Sequence, residues 1–421
     1  MPADAIEISP ADTGFTLLCA ALVLFMTPGL AFFYGGMVRQ KNVLSMLMQN
    51  FFTITIVTFT WVLIGFSIAF GPGGNAIVGK ITYLLGKGVG QAISQPWAEM
   101  WGESVPAIPE LAYLAYQLMF AIITPALMTG AFAERLKFKA FIAIIALWSI
   151  LVYAPLAHWV WSPEGWLFKL GALDFAGGTV VHINAGVGAL VLALMLGKRK
   201  GWPDSPDLRP HSLPLTLLGT GILWFGWFGF NAGSALGASG LAAQAFINTQ
   251  IGAAMGALGW VVAEWIKDKH PTTLGAASGA VAGLVAITPA AGFVNEVGSI
   301  VIGILAGAIC YLAVSIKYKA GYDDSLDVVG VHMVGGIVGA LLTGVLALDT
   351  INPLGQGLLQ GNPKQLGIQA IGVIATLLYS GILTAIIAAV VKAIFGLRVE
   401  EETEVAGLDV REHGEQAYVL E

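Results

Sequence analysis

Two runs of the chain each carry a single histidine in an otherwise apolar, small-residue stretch. Residues 174–190 read DFAGGTVVHINAGVGAL, and residues 324–341 read DSLDVVGVHMVGGIVGAL. His182 and His332 each stand eight residues after an aspartate, Asp174 and Asp324, and each is followed four residues later by a glycine, Gly186 and Gly336. A spacing of four places the glycine on the histidine's own helical face. If the aspartates mark the helix ends, each imidazole lies about 12 Å inside, at about 1.5 Å per residue. In a hydrocarbon layer about 30 Å thick, that is close to the middle. A titratable side chain at such a depth is read as functional by default. The bland alternative is a hydrogen bond that glues two helices together, and the repeated context weighs against it.

The membrane premise comes from composition. Residues are 57% hydrophobic and 11% charged, whereas soluble domains carry about 25% charged residues. With a mean hydropathy of +0.79, an all-α polytopic membrane protein is expected. The net charge of −6 comes with no basic cluster, which excludes nucleic acid as a partner. Cys19 and Cys310 both lie in apolar runs and read as small core residues, not as a disulfide or metal pair. The pairs Gly252/Gly256 and Gly303/Gly307 have the spacing that lets membrane helices approach closely. Apolar runs long enough to span fall at 13–38, 43–70, 111–133, 139–160, 175–196, 213–234, 241–266, 273–292, 297–316, 328–348 and 366–394. Eleven transmembrane helices are therefore expected within a transmembrane domain over 13–396. Residues 1–12 precede them with three acids and no Lys or Arg, so the positive region of a signal peptide is missing and the first run reads as a retained helix.

Basic residues orient the bundle. The connections after the odd-numbered runs, with the end of the last run and the tail, hold sixteen of the twenty Lys and Arg; the opposite side holds Lys80, Lys87, Lys169 and Lys364. By the positive-inside rule the N-terminus is outside and the C-terminus cytoplasmic. The two histidine helices then run antiparallel, as an inverted repeat requires: helices 1–5 relate to 6–10, and helix 11 is added. The string Ile-Thr-Pro-Ala at 123–126 and again at 287–290 falls in partner helices under that scheme. Helices related in this way meet near the midplane, so His182 and His332 are expected to face each other. The tail over 397–421 is strongly acidic. It is not suited to anionic lipid, and composition leaves its order open.

The chemistry follows from what the spans lack. Acids within them are confined to the ends, at Glu134, Glu264 and Asp349. Taking an ammonium-sized ion into low dielectric costs on the order of 20 kcal/mol in the Born limit, and a desolvated cation–π contact returns about 2 kcal/mol. Whatever crosses here crosses neutral, or hands its proton to a histidine. No metal site is expected, because no Cys, Asp or Glu accompanies either histidine at mid-depth. No cofactor is expected, and no nucleophile accompanies the pair to suggest an enzyme. Asp174 reads as an N-cap. Taken singly, Trp161 reads as a membrane-belt anchor, Phe120 and Phe230 as core packing, and Ser234 is uninformative.

Longer strings carry a resemblance. DFAGGTVVHINAG at 174–186, GWFGFNAGSA at 226–235, DVVGVHMVGGIVG at 327–339 and GLDVREHGEQAY at 407–418 resemble the ammonium transporter (Amt/Mep/Rh) family, from the first helix to the tail. The resemblance implies a homotrimer of eleven-helix protomers in the plasma membrane (the inner membrane in a Gram-negative bacterium), each with its own pore. It implies recruitment of ammonium, with methylammonium as an analogue, by Trp161 and Ser234. Phe120 and Phe230 would form the gate, His182 and His332 would line the pore, and Asp174 would organise the outer site. A PII-type regulatory protein is implied as a partner of the tail. Tyr116 stands where family members often have phenylalanine. Two histidines favour the Amt or Rh branch, and Trp161 with the tail motif favours Amt. The function so implied is deprotonation of NH4+, passage of NH3 and separate transfer of the proton. The alternatives are a neutral NH3 or CO2 channel of the Rh type and an ammonium sensor signalling through its tail.

Overall fold

A computed structural model describes residues 6–205 and 208–418. Among these there is no strand beyond one bridge between Leu136 and Arg398; the architecture is all-helical. Among the described residues ten helices are long and apolar enough to cross a membrane: α1 (Pro10–Met37), α2 (Gln40–Phe70), α3 (Glu110–Met128), α4 (Phe138–Leu170, interrupted at 162–165), α5 (Gly178–Leu196), α6 (Leu213–Ala235), α7 (Gly240–Asp268), α9 (Glu296–Ala320), α10 (Val329–Leu346) and α11 (Pro363–Phe395). Between α7 and α9 lies α8 (Thr273–Ile287), apolar but only 15 residues long. The sequence pattern extends this run to 292, but the helix gives way to turns over 288–293 around Pro289. Proline cannot donate to the helix ladder, and the Pro289 carbonyl accepts instead from Phe175 N at 3.1 Å.

Helix starts are set by short polar side chains. Ser9, Ser212, Ser239, Thr272 and Asn295 each accept from the backbone N–H three residues on, opening α1, α6, α7, α8 and α9. Each removes one of the donors that a helix N-terminus leaves unpaired. The echoed Ile-Thr-Pro-Ala strings also behave alike. Thr124 and Thr288 donate back to the carbonyls of Phe120 and Leu284, at 2.7 Å in both cases.

Close packing follows the glycines. A Cβ added at Gly307 would lie 2.1 Å from the Gly256 carbonyl, and one at Gly303 would lie 2.7 Å from the Gly252 carbonyl, so the paired glycines read from the sequence seat α7 against α9. The histidine helices cross reciprocally. A Cβ at Gly186 would meet Met333 at 2.4 Å, and one at Gly336 would meet Ile183 at 2.9 Å. Each glycine thus clears room for the residue that follows the other helix's histidine. Cys19 and Cys310 are buried free thiols, as read.

The long connection before α3 carries a short helix, Gln95–Trp101. Trp97 is 1% exposed and packs on Phe66 and Tyr113, inside an aromatic cluster.

At the opposite end of the bundle the acidic tail is ordered. It forms α12 (Glu401–Ala406) and α13 (Leu408–His413). Its carboxylates cap other helices: Asp409 accepts from Leu44 N at 3.0 Å and Ser45 N at 2.8 Å, and Glu412 accepts from Phe138 N at 3.1 Å. Glu404, 1% exposed, accepts from Lys200 N at 2.7 Å and pairs with Arg398 at 2.6 Å. Beside the tail, Glu134 binds Arg39 at 2.9 Å and Arg199 at 3.3 Å, while Arg199 also pairs with Asp323 at 2.9 Å. Burial by itself would raise both acids, but Arg199 beside them, helped by Arg39 at Glu134 and by Arg135 at Asp323, holds both carboxyls below the usual carboxylate range.

Candidate functional site

The histidine helices begin later than their aspartates. Residues 174–177 are non-helical and α5 opens at Gly178. His182 is therefore in the first turn and a half, not two turns in, and the 12 Å reckoned from the aspartate overstates its distance from the helix end. His332, four residues into α10, is placed alike. Both histidines sit in π-helical turns, Gly178–Ile183 and Val329–Met333. Such a turn widens the helix locally and re-aims its side chains, and it is frequent at functional sites.

Asp174 accepts the backbone N–H groups at the start of α5, as an N-cap would, although the N-cap position itself is Gly177, and its carboxylate is saturated. One carboxylate oxygen accepts from Gly177 N at 2.8 Å and Gly178 N at 2.6 Å; the other accepts from Thr179 N at 2.9 Å, Val180 N at 3.2 Å and the Thr179 hydroxyl. Its backbone carbonyl takes the indole N–H of Trp161 at 3.0 Å. Asp174 thereby ties the start of α5 to the last helical residue before the break in α4. Asp324 is satisfied less fully. It accepts from Val329 N at 2.7 Å, while Oδ1 is buried with no hydrogen-bond partner. Burial pushes its carboxyl up to about 6, against the pull of Lys317.

Between α3, α4 and α6 a cavity of about 260 Å³ opens at the Trp161 end of the bundle, with Trp161, Ser234, Phe120, Tyr116 and Asp174 in its wall. Trp161 meets Phe120 edge-on, with centroids 5.7 Å apart at 88°. Phe120 and Phe230 lie against each other at 4.3 Å and 33°, both at most 1% exposed. The Phe230 ring is 6.1 Å from the His182 ring. His182 and His332 face each other with Nδ1 atoms 3.3 Å apart, ring centroids at 5.4 Å and planes at 21°. Beyond His332 a pocket of about 10 Å³, lined by Tyr34, Val331 and Asp327 among others, continues toward the tail end. That volume is about one water.

All seven residues singled out in the sequence therefore fall along one line: cavity, paired phenylalanines, paired histidines. Their order along it depends on which helices cross, and α3, α4 and α6 are distant in sequence. Two neighbours were missed or set aside. Trp227 stacks on His182 at 5.3 Å and 20°, with its indole N–H on Thr288 Oγ1 at 2.9 Å. Its signal was a position three residues before Phe230, on the same helical face. Tyr116 lies one turn before Phe120 and packs on it at 4.9 Å.

Chemically, the cavity offers ring faces and hydroxyl oxygens suited to a small cation. The path behind it offers aromatic walls and imidazoles. A neutral imidazole has one nitrogen that donates and one that accepts, so the facing Nδ1 atoms share a hydrogen bond when one is protonated and the other is not.

Comparison with known proteins shows the family and the fold. A sequence model of the Ammonium Transporter Family matches residues 14–418. An "Ammonium transporter" of Aquifex aeolicus is 52% identical over 417 residues, covering 98% of this chain and 95% of the relative. The crystal structure of Candida albicans Mep2 superposes with a TM-score of 0.87 at 35% identity, over 98% of this chain and 91% of that one. A structure titled "Sensor Amt Protein" gives a TM-score of 0.87 at 31% identity, over 96% and 98%.

Proposed function

This chain belongs to the ammonium transporter family and is a multi-pass membrane protein that transports ammonium; we propose that it does so by separating the proton from the ammonia. NH4+ is held in the cavity by Trp161 and Ser234, above Phe120, with Asp174 fixing the wall. It loses a proton near Phe120 and Phe230, which close the path to a hydrated ion. NH3 then passes the histidines, and the proton moves along His182 and His332, so that charge crosses with the substrate. The observation that carries this reading is the 3.3 Å contact between the two Nδ1 atoms directly behind the paired phenylalanines.

The same reading gives the bundle eleven spans, with α8 as the short one, the N-terminus outside and the tail in the cytoplasm. The reciprocal seats of Gly186 and Gly336 support an inverted relation of α1–α5 to α6–α10. Membership of the family supports a homotrimer in the plasma membrane, with a PII-type protein meeting the tail face. A second reading, a sensor that signals through its tail, draws on the docking of α13 against the starts of α2 and α4.

The deciding experiment is current recorded from protein reconstituted in liposomes during an ammonium pulse. Sustained current is expected. Ammonium flux with no current would replace this mechanism by neutral gas conduction, and binding without flux would favour the sensor.

A further inference from the structure

A cavity of about 650 Å³ lies where the tail docks, and it shares no lining residue with the cavity at Trp161 or the pocket beyond His332. Three stretches distant in sequence form its wall. The connection between α1 and α2 gives Arg39 and Lys41, the residues before α6 give Arg209 and His211, and the tail gives Asp409 and Tyr418 among others. The Arg39 side chain is 10% exposed. Its main-chain N and Nε donate to Glu134 at 2.7 and 2.9 Å, while Nη2 is buried with no hydrogen-bond partner. A buried guanidinium donor of this kind calls for an acceptor. Lys41 gives one ammonium hydrogen to the Val405 carbonyl and keeps two. His211 donates through Nδ1 to the Val38 carbonyl at 2.9 Å, and its Nε2 lies 3.1 Å from the Tyr418 hydroxyl. Among the described residues the wall holds one acid, Asp409, and its two oxygens are taken by Leu44 N and Ser45 N. Glu134, behind Arg39, is shared with Arg199. Positive charge is therefore in excess around the cavity.

We propose that this cavity binds a phosphate ester, its phosphoryl group on Arg39, Lys41 and Arg209, and that the bound ester pins the tail to the helical body. Three cations from two separate stretches suit a phosphoryl group, whose three terminal oxygens each accept, better than a carboxylate with two. The volume exceeds what a bare phosphate fills and falls within the range of about 300–1,000 Å³ usual for small organic ligands. Val410 and Ala417 give the organic part an apolar side. The cations belong to the body and Val410, Ala417 and Tyr418 to the tail, so one ligand touches both. Two sources carry this chemistry, a soluble phosphate ester and the headgroup of an anionic lipid.

The test uses the purified full chain in neutral detergent, titrated with AMP, with adenosine as the same body lacking phosphate, and with short-chain phosphatidic acid against short-chain phosphatidylcholine. Binding heat and the rate of limited proteolysis of the tail are read together. AMP or phosphatidic acid is expected to bind and to slow cleavage of the tail, and adenosine and phosphatidylcholine to do neither. Response to AMP assigns a soluble ester; response to phosphatidic acid alone assigns a lipid headgroup. Lys41 and Arg209 are exposed, so Lys41→Gln with Arg209→Gln should fold, and it should weaken binding about tenfold or more, as for charged hydrogen bonds lost. Arg209→Gln alone, which leaves the Lys41 contact with the tail in place, should weaken it in the same direction. Lys267→Gln with Lys269→Gln, outside the wall, should leave it unchanged. Three results would each overturn the proposal: no binding of AMP or phosphatidic acid at about 1 mM, full binding in the Lys41 and Arg209 variant, or equal loss in the Lys267 and Lys269 variant. Binding that leaves tail cleavage unchanged would overturn the pinning.

Discussion

Leucine at position 182 or 332 tests what the histidine pair does, because it keeps the bulk of an imidazole and removes both nitrogens. The surroundings of the pair are Trp227, Phe230 and Val331, a wall that accepts an apolar side chain. The fold is expected to survive either change, seen as an unaltered elution profile of the purified protein. Ammonium-driven current is expected to vanish in both variants. The pair can hold at most one extra proton, since burial and the like charge each oppose a second, and with one partner gone the proton has no neighbour 3.3 Å away to move to. Full current in either leucine variant would leave the histidines as helix glue. Aspartate at position 182 differs in kind: a carboxylate there draws a bare cation past the phenylalanines, and K+ should begin to compete with ammonium, read as a K+-dependent loss of ammonium current.

At the scale of elements, the tail behaves as a set of caps supplied from outside the helices they cap. Asp409 serves two N–H groups of α2, Leu408 N donates to Asn42 Oδ1 at 2.8 Å, and Glu412 serves the first N–H of α4. Removing an N-cap costs about 1 kcal/mol, so Asp409→Ala should loosen the docking of α13 without unfolding the bundle. Limited proteolysis of the tail should then run faster while the body stays intact. Deleting 407–421 carries the loss further. Transport is expected to fall or to lose the proposed response to a PII-type protein, while assembly into the proposed homotrimer persists on native gels. If transport and response both survive the deletion, the tail has no regulatory role.

For the whole molecule the open quantity is orientation. Lys87 and Lys200 are both exposed and lie at opposite ends of the bundle. A cysteine at position 87 should react with an impermeant thiol reagent applied outside intact cells, and one at position 200 only after the cells are opened. The reverse pattern would put Trp161 and its cavity on the cytoplasmic side and overturn the direction of recruitment. The two native cysteines are buried and give a low background.

The helical class and the identity of the histidine pair were legible because both rest on local facts: apolar runs of a given length, and an imidazole in a run that otherwise has no charge. The close glycine pairs were legible for the same reason, since a spacing of four is a helical face. Other features depend on contacts between residues far apart in sequence. Pro289 stops α8 five residues early and gives its carbonyl to Phe175. The π turns at His182 and His332 leave no mark in residue type, yet they decide how the imidazoles point. Tail acids whose order composition leaves open are held by backbone N–H groups more than 270 positions away. That Trp161, Phe120 and Ser234 share one cavity is likewise a fact about how α3, α4 and α6 cross. A sequence fixes what each residue can offer, and only the crossing of helices brings the offers within hydrogen-bonding or ring-stacking distance.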